Sequence, residues 1–294
     1  MAESAVAQRR RERATESWRE FASNRGGLIG LILLVIVVAL ALLAPVLVPL
    51  STLDVTQVTA MPNEPPSGQH LLGTDPFGRD VLGTLLWGSR ISLLVGFTAT
   101  LMSMTIGTTV GMLAGHFGGW VQQVLLRVID FFIVIPSLVL AITLSTVLER
   151  GVWTIIIAIG VTSWAGTARI VRSQTLTIES RPYVERATAL GAGDGHLLWW
   201  HVLPSVMPLV LANTTLAVGS AIISESTLSF LGLGDPTVFS WGSMLKSALD
   251  TGSATAGFWW FVLPPGVAIV LVVLCFTLVG RALEAVVNPA LRGR

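Results

Sequence analysis

Charged positions divide this chain into long apolar runs. Uncharged stretches extend from Gly26 to Leu53, Ile91 to Leu126, Phe131 to Leu148, Gly151 to Ala168, Gly195 to Ser224 and Thr251 to Gly280. Crossing about 30 Å of hydrocarbon at about 1.5 Å per residue takes roughly 20 residues. Each stretch holds about one such helix, and the two of 18 residues, the third and fourth, borrow from their flanks. The pattern predicts an all-α integral membrane protein with six transmembrane helices, at about residues 28–50, 92–114, 128–148, 152–170, 206–230 and 258–280. Arg9, Arg10, Arg11 and Arg13 precede the first run in the manner of a signal peptide. The run itself continues from Gly27 to Leu50, beyond the roughly 7–15 apolar residues of such a peptide, so it reads as a retained helix.

Composition agrees and adds exclusions. The 294 residues are 52% hydrophobic and 12% charged, against about 25% charge in a soluble domain. Disorder is excluded by the same numbers, because a disordered chain is polar and charge-rich. Cys275 is the only cysteine, which leaves no disulfide framework and no cysteine metal cluster. His196 and His201 lie five apart without obvious further ligands, so no metal site is expected. Nothing points to nucleic acid.

The net charge of +1 is uninformative, but its placement sets an orientation. With the N-terminus cytoplasmic, Arg9, Arg10, Arg11, Arg13, Arg19, Arg25, Arg127, Arg169, Arg172, Arg181, Arg186, Arg281, Arg292 and Arg294 all fall inside. Only Arg79, Arg90, Arg150 and Lys246 fall outside. The positive-inside rule therefore predicts that both termini are cytoplasmic. Trp87, Trp153, Trp241, Trp259 and Trp260 gather near the outer interface, and Trp18, Trp199 and Trp200 near the inner one.

Between the helices, residues 1–25 read as a charged amphipathic segment whose Trp18 and Phe21 dip into the inner interface. The outer segment carries Pro62, Pro65, Pro66 and Gly68, then Gly73-Thr74-Asp75-Pro76-Phe77-Gly78-Arg79-Asp80. A self-satisfied turn is favoured there over an ion or substrate site. Gly107, Gly111 and Gly115 form a smooth stripe on the second helix that admits another backbone closely, from this chain or another. Arg127 and Asp130, three apart, are placed to pair on one helix face.

The longest inner segment, Arg169 to Pro204, holds two short helical stretches, Arg181 to Leu190 and His196 to Val202, separated by Gly191, Gly193 and Gly195. A helix-turn-helix outside the membrane, polar on one side and apolar on the other, reads as a docking surface for a soluble partner. Glu225 is the one acid well inside a predicted span, so it should face the bundle interior, a partner chain or a water path. With Ser224, Ser226, Ser229 and Asn213 it forms the best polar candidate for a translocation path; the same groups equally serve as helix–helix hydrogen bonds. No catalytic constellation is visible, and Lys246, the only lysine, follows Leu245 rather than the glycine of a P-loop. The chain holds no ATP site of that kind, so the energy for any pumping comes from another chain.

The segment Tyr183-Val184-Glu185-Arg186-Ala187-Thr188-Ala189-Leu190-Gly191, followed after nine residues by His201-Val202-Leu203-Pro204, resembles the EAA motif of ABC-importer membrane subunits. More narrowly, the chain resembles the C-type permease of the dipeptide/oligopeptide/nickel importers. Leu72 to Asp80, Ala168-Arg169-Ile170-Val171-Arg172-Ser173, Leu228 to Gly234 and Ser240-Trp241-Gly242-Ser243-Met244 carry that likeness.

The resemblance implies a type I ABC-importer permease fold in the bacterial inner membrane, with a cytoplasmic segment at 1–25 and a first helix at 26–53. A periplasmic loop at 54–90, a core at 91–281 containing a coupling loop at 171–205, and a cytoplasmic tail at 282–294 complete the layout. The loop's helix would sit in a cleft of a cytoplasmic ATPase, with Glu185, Ala187, Gly191, Leu203 and Pro204 at the motif positions. Arg186 departs from the usual alanine, and His201 takes a position where this subfamily commonly has histidine. Implied partners are a B-type permease subunit, two ATPase domains or subunits that hold ATP and magnesium, an extracytoplasmic substrate-binding protein and membrane lipid. The implied function is ATP-driven import of short peptides by alternating access, with no covalent chemistry and no cofactor in this chain. Import of nickel, glutathione or haem on the same architecture, or a secondary transporter without an ATPase, are the alternatives.

Overall fold

The computed structural model describes residues 15, 16 and 18–287. Among the described residues the fold rests on α1 (Arg25–Leu47), α2 (Val81–His116), α3 (Gly119–Val134), α4 (Ser137–Val147), α5 (Val152–Thr162), α6 (Ala165–Glu179), α7 (Pro182–Ala189), α8 (Leu203–Phe230), α9 (Trp241–Asp250) and α10 (Trp259–Val287). Among the described residues there is no strand, only an isolated bridge between Thr74 and Asp80. Caps explain several starts. The Asn24 side chain accepts from the Gly27 N–H, the Asp80 side chain from the Gly83 N–H, and Ser240 forms a reciprocal box with Ser243.

Among the described residues, four helices are long and apolar enough to cross a membrane unaided, and two bent pairs bring the candidate spans to as many as six if each pair is one span. The expectation of a single third helix needs correction. That span is broken between α3 and α4, whose axes differ by 88°. Pro136 is the cause: it has no N–H to continue the ladder and pushes Ile135 out of the helical region, to φ −87° and ψ 125°. The fourth span bends by 41° between α5 and α6, at Ser163 and Trp164.

The glycine stripe of α2 finds its partner within this chain. A Cβ on Gly107 would lie 2.7 Å from the Trp164 carbonyl, on Gly111 2.6 Å from the Ala168 carbonyl, and on Gly115 2.7 Å from Thr175 Cβ. The bare glycines therefore let α2 and α6 run backbone to backbone, bringing many small contacts into dispersion range. The predicted Arg127–Asp130 pair is replaced by a bridge between helices, in which Arg169 Nη2 on α6 donates to Asp130 Oδ1 at 2.9 Å. Asp130 thus joins α3 to α6 instead of stapling one turn.

At the N-terminal end, residues 18–23 are helical; the remainder of the predicted amphipathic segment, residues 1–14 and 17, lies outside the described residues. Trp18 is exposed and stacks on Phe21, but Phe21 is buried against Val279 and Ala282 of α10. Phe21 is thus a bundle contact, and only Trp18 is left to meet an interface. The tail expected at 282–294 begins inside α10, and residues 288–294 lie outside the described part.

The chain between α1 and α2 is fastened by the predicted turn. Asp75, fully buried, accepts from the Phe77 and Arg79 N–H groups at 2.8 and 2.9 Å, while its other oxygen takes Arg79 Nε and Nη2 at 2.6 Å each. Phe77 and Phe239 flank the guanidinium at 4.8 and 5.1 Å. Every polar atom of Asp75 is used inside the turn, so this sequence is a self-satisfied turn. Sequence reasoning missed α9, which lies at the same end of the bundle.

Candidate functional site: a polar cavity and an exposed loop helix

Two features stand out, at different levels of the bundle. The first is a cavity of about 510 Å³ lined by α2, α8 and the two helix breaks. Its polar lining comprises Thr100 and Ser103 from α2, Ser137, Thr162, Ser163 and Thr167 from around the breaks, and Asn213, Ser220 and Ser224 from α8. Met104, Phe132, Ile159 and Leu216 supply apolar wall. No charged side chain lines it. The breaks matter because an intact helix satisfies its own backbone groups, whereas a broken one turns loop backbone and short side chains toward a cavity. Asn213 Nδ2 donates to Thr167 Oγ1 at 3.2 Å, and that hydroxyl faces Met104 Sδ at 3.6 Å, so α8, α6 and α2 meet at this wall.

The five path residues proposed from sequence divide into two groups. Asn213 and Ser224 line the cavity. Glu225, Ser226 and Ser229 turn away from it into the packing between α8, α2 and α9, where all three are buried. Ser92 donates to Glu225 Oε2 at 2.8 Å, Ser229 to Oε1 at 2.8 Å, and Ser226 to Oε2 at 3.3 Å. Ser92 Oγ in turn accepts the Trp241 N–H at 3.2 Å, so one carboxylate ties the start of α9 to two spanning helices. A Cβ on Gly242 would sit 2.4 Å from the Ser226 carbonyl, which shows how tightly α9 is seated there.

The cavity hydroxyls Thr100, Ser103, Thr162, Thr167 and Ser220 escaped sequence reasoning. Hydroxyls bonding their own helix carbonyls, as Thr100 does to Gly96 and Thr162 to Ala158, leave no charge or spacing signal. Ser92 and Trp241 escaped for another reason: they are far from Glu225 in sequence and meet it only in the fold.

The second feature is α7 and its surroundings at the opposite end of the bundle from α9. Pro182 opens the helix, and Gly191 closes it at φ +87°. The Gly191 N–H donates to the Thr188 carbonyl at 2.9 Å and the Ala192 N–H to the Ala187 carbonyl at 3.0 Å. This pair of bonds is the Schellman arrangement, which needs a left-handed residue at the position of Gly191 and so selects glycine. Only Val184 of α7 is fully buried, against Val171, Ile178, Leu197 and Val202. Glu185, Arg186 and Gly191 are exposed, and Ala187 is half-buried. Leu190 is 88% exposed, and Tyr183, Trp199 and Trp200 are also open to solvent, which is costly for apolar groups unless something covers them.

His201, half-buried, faces Tyr183 across 6.0 Å, and Leu203 packs on the same apolar cluster while Pro204 is exposed. The second predicted stretch, His196 to Val202, is not a separate helix. It runs on from Asp194 through one wide π turn, Leu197–Val202, directly into α8. Pro204 and Pro208 lack the N–H groups that would hold the helical ladder there, which lets the turn widen. The motif residues thus form two shells: Glu185, Arg186 and Gly191 outside, with His201 and Leu203 beneath them.

A bundle of apolar helices, two of them broken around a charge-free cavity, with a short amphipathic helix exposed at one end, defines a multi-pass membrane transport subunit. Residues 107–293 match the family described as "Binding-protein-dependent transport system inner membrane component", and the chain belongs to that family. Residues 14–66 match the "N-terminal TM domain of oligopeptide transport permease C". The chain is 37% identical to the dipeptide transport system permease protein DppC of Bacillus subtilis (strain 168), over 94% of this chain and 86% of that protein. It is 35% identical to the oligopeptide transport system permease protein OppC of the same organism, over 92% and 88%. With the glutathione transport system permease protein GsiD of Pectobacterium atrosepticum it shares 36% identity, over 78% and 76%.

Among solved structures, an inward-facing conformation of the MetNI methionine ABC transporter aligns with a TM-score of 0.56. Identity there is 20%, and the match covers 69% of this chain and 96% of that one. The fold is that of an ABC-importer permease, and its four unbroken spans and two bent pairs accommodate the six membrane segments read from the apolar runs.

Proposed function

We propose that this chain is the membrane-spanning subunit through which an ATP-driven importer passes short peptides delivered by a binding protein, and that α7 couples it to a cytoplasmic ATPase. The cavity carries this reading. A peptide of any sequence brings two opposite terminal charges and variable side chains. A path for such cargo works best with adaptable hydroxyl and amide partners and without fixed charges that would trap one cargo class. The lining from Thr100 to Ser224 has that character. The peptide and glutathione systems to which the relatives belong support the same class of cargo.

The excess of basic residues at the α7 end supports a cytoplasmic location for it, within reach of an ATPase. The exposed Leu190 and Tyr183, the charged Glu185 and Arg186, and the glycine cap form a small rigid surface suited to docking in a cleft. Two such ATPase units would bind ATP and magnesium and, on closing, move α7. A B-type permease would close the cavity from the side on which Ser163, Gly166 and Ser220 are open.

The test replaces residues 182–191 with a glycine–serine linker of equal length in the assembled transporter. The expected result is loss of ATPase copurification and of peptide uptake, with the helical content of the bundle retained. Survival of both association and uptake would show that α7 is not the docking element.

A further inference from the structure

The loop that carries α7 leaves the bundle after Glu179 and returns at Asp194. Both of these carboxylates converge on one side chain, which belongs to neither end of the loop. His116, in the last turn of α2 and buried among its neighbours, places Nδ1 2.5 Å from Glu179 Oε1 and Nε2 3.5 Å from Asp194 Oδ1. The two nitrogens of a single imidazole therefore close the base of the loop. Arg172 of α6 reaches the same last turn, with Nε 3.3 Å from the Ala114 carbonyl, and the Phe117 ring packs edge-on to the imidazole at 4.9 Å. The charged groups facing this turn are thus Glu179 and Arg172 from α6 and Asp194 from the residues leading into α8.

We propose that His116 is a positioning residue that fastens both ends of the α7 loop to α2, so that displacement of α7 is delivered to the cavity wall. The route is physical. Helix α2 continues without a break from His116 to Met104, Ser103 and Thr100 in that wall, and Gly107, Gly111 and Gly115 lock it against α6 along the way. A loop fastened at one end only would swing about the other and dissipate the motion. The contacts are unequal: Nδ1 holds Glu179 at hydrogen-bond distance, and Nε2 meets Asp194 in a longer polar contact, so one ring spans both ends of the loop. This inference rests on the reading that α7 docks the ATPase.

The experiment uses the complete transporter in proteoliposomes, with ATP hydrolysis and uptake of a labelled dipeptide measured together. In His116→Gln the ATPase should still copurify and hydrolyse ATP, while ATP consumed per peptide imported rises about tenfold, the scale of a typical coupling energy between sites. His116→Arg, which presents a planar fork of donors to the two carboxylates, should keep coupling. Asp194→Asn, at an exposed carboxylate, removes one link without a burial change and should raise the ratio part of the way, which keeps the test alive where His116→Gln fails to assemble. An unchanged ratio in both His116→Gln and Asp194→Asn overturns the proposal. If the ATPase is retained without α7 at all, the docking reading falls and this proposal with it. If retention needs α7 but coupling ignores His116, this proposal alone falls.

Discussion

Glu225 is the residue whose perturbation separates a structural carboxylate from a cargo contact. It accepts three hydroxyl hydrogen bonds, from Ser92 at 2.8 Å, Ser229 at 2.8 Å and Ser226 at 3.3 Å, in a site sealed from the cavity. Only the Ser92 bond joins two helices, worth about 0.6 kcal/mol on average in membrane proteins, and the two bonds within α8 add about 0.5–1.5 kcal/mol net each, so Glu225→Ala should lose about 2–3 kcal/mol from these bonds alone. The emptied volume adds to that loss, because the tightly seated α9 leaves little room for the walls to collapse. Glu225→Gln keeps the shape and one acceptor oxygen but turns an amide donor toward hydroxyls that already donate, and should lose about half as much. The assay is reversible unfolding of the purified chain in mixed micelles, paired with peptide uptake by the assembled transporter. A stability loss in the order Ala above Gln, with the Gln variant's uptake falling only as far as its assembly does, is the expected pattern. A full-stability Gln variant with abolished uptake would refute the sealed, structural role, and an Ala variant with no measurable stability loss would refute the hydrogen-bond reasoning.

Other expectations follow from close packing and turn geometry. Gly111→Val places carbon where the Ala168 carbonyl and Val171 Cβ already lie, 2.6 and 2.8 Å from a new Cβ, and should destabilise by about 1–3 kcal/mol in the same unfolding assay, by forcing α2 from α6. Gly191→Ala has open space around its Cβ but a φ of +87°, so it should cost roughly 1 kcal/mol locally. Hydrogen exchange at Ala192, whose N–H closes the helix end, reads that loss directly; unchanged protection there would mean the cap is not what holds α7.

Much of this architecture is legible in the sequence because membrane burial writes a long, strong signal. Six uncharged runs map onto four unbroken candidate spans and two bent helix pairs, and the glycine stripe at 107, 111 and 115 marks a close helix contact whatever its partner. The loop helix and its glycine cap are also legible, since a positive φ at Gly191 and a proline start at Pro182 are local requirements. The breaks were less so. Pro136 announces one, but a uniformly apolar flank gives no period from which to read an 88° change of direction. The pairing of Asp130 was misjudged because sequence offers the near neighbour Arg127, while the fold brings Arg169 closer. The polar candidates part company in the fold: Ser224 and Glu225 are adjacent, and about 100° of helical rotation sends one to the cavity and the other into the packing.

The central claim is that this chain passes peptides across the membrane when an ATPase engages α7. It is tested most directly by counting labelled dipeptide accumulated in proteoliposomes that contain the chain with its partner permease, ATPases and binding protein. The account predicts accumulation that requires ATP and disappears when residues 182–191 are replaced by linker. Accumulation that proceeds without ATP, driven by an ion gradient alone, would contradict it.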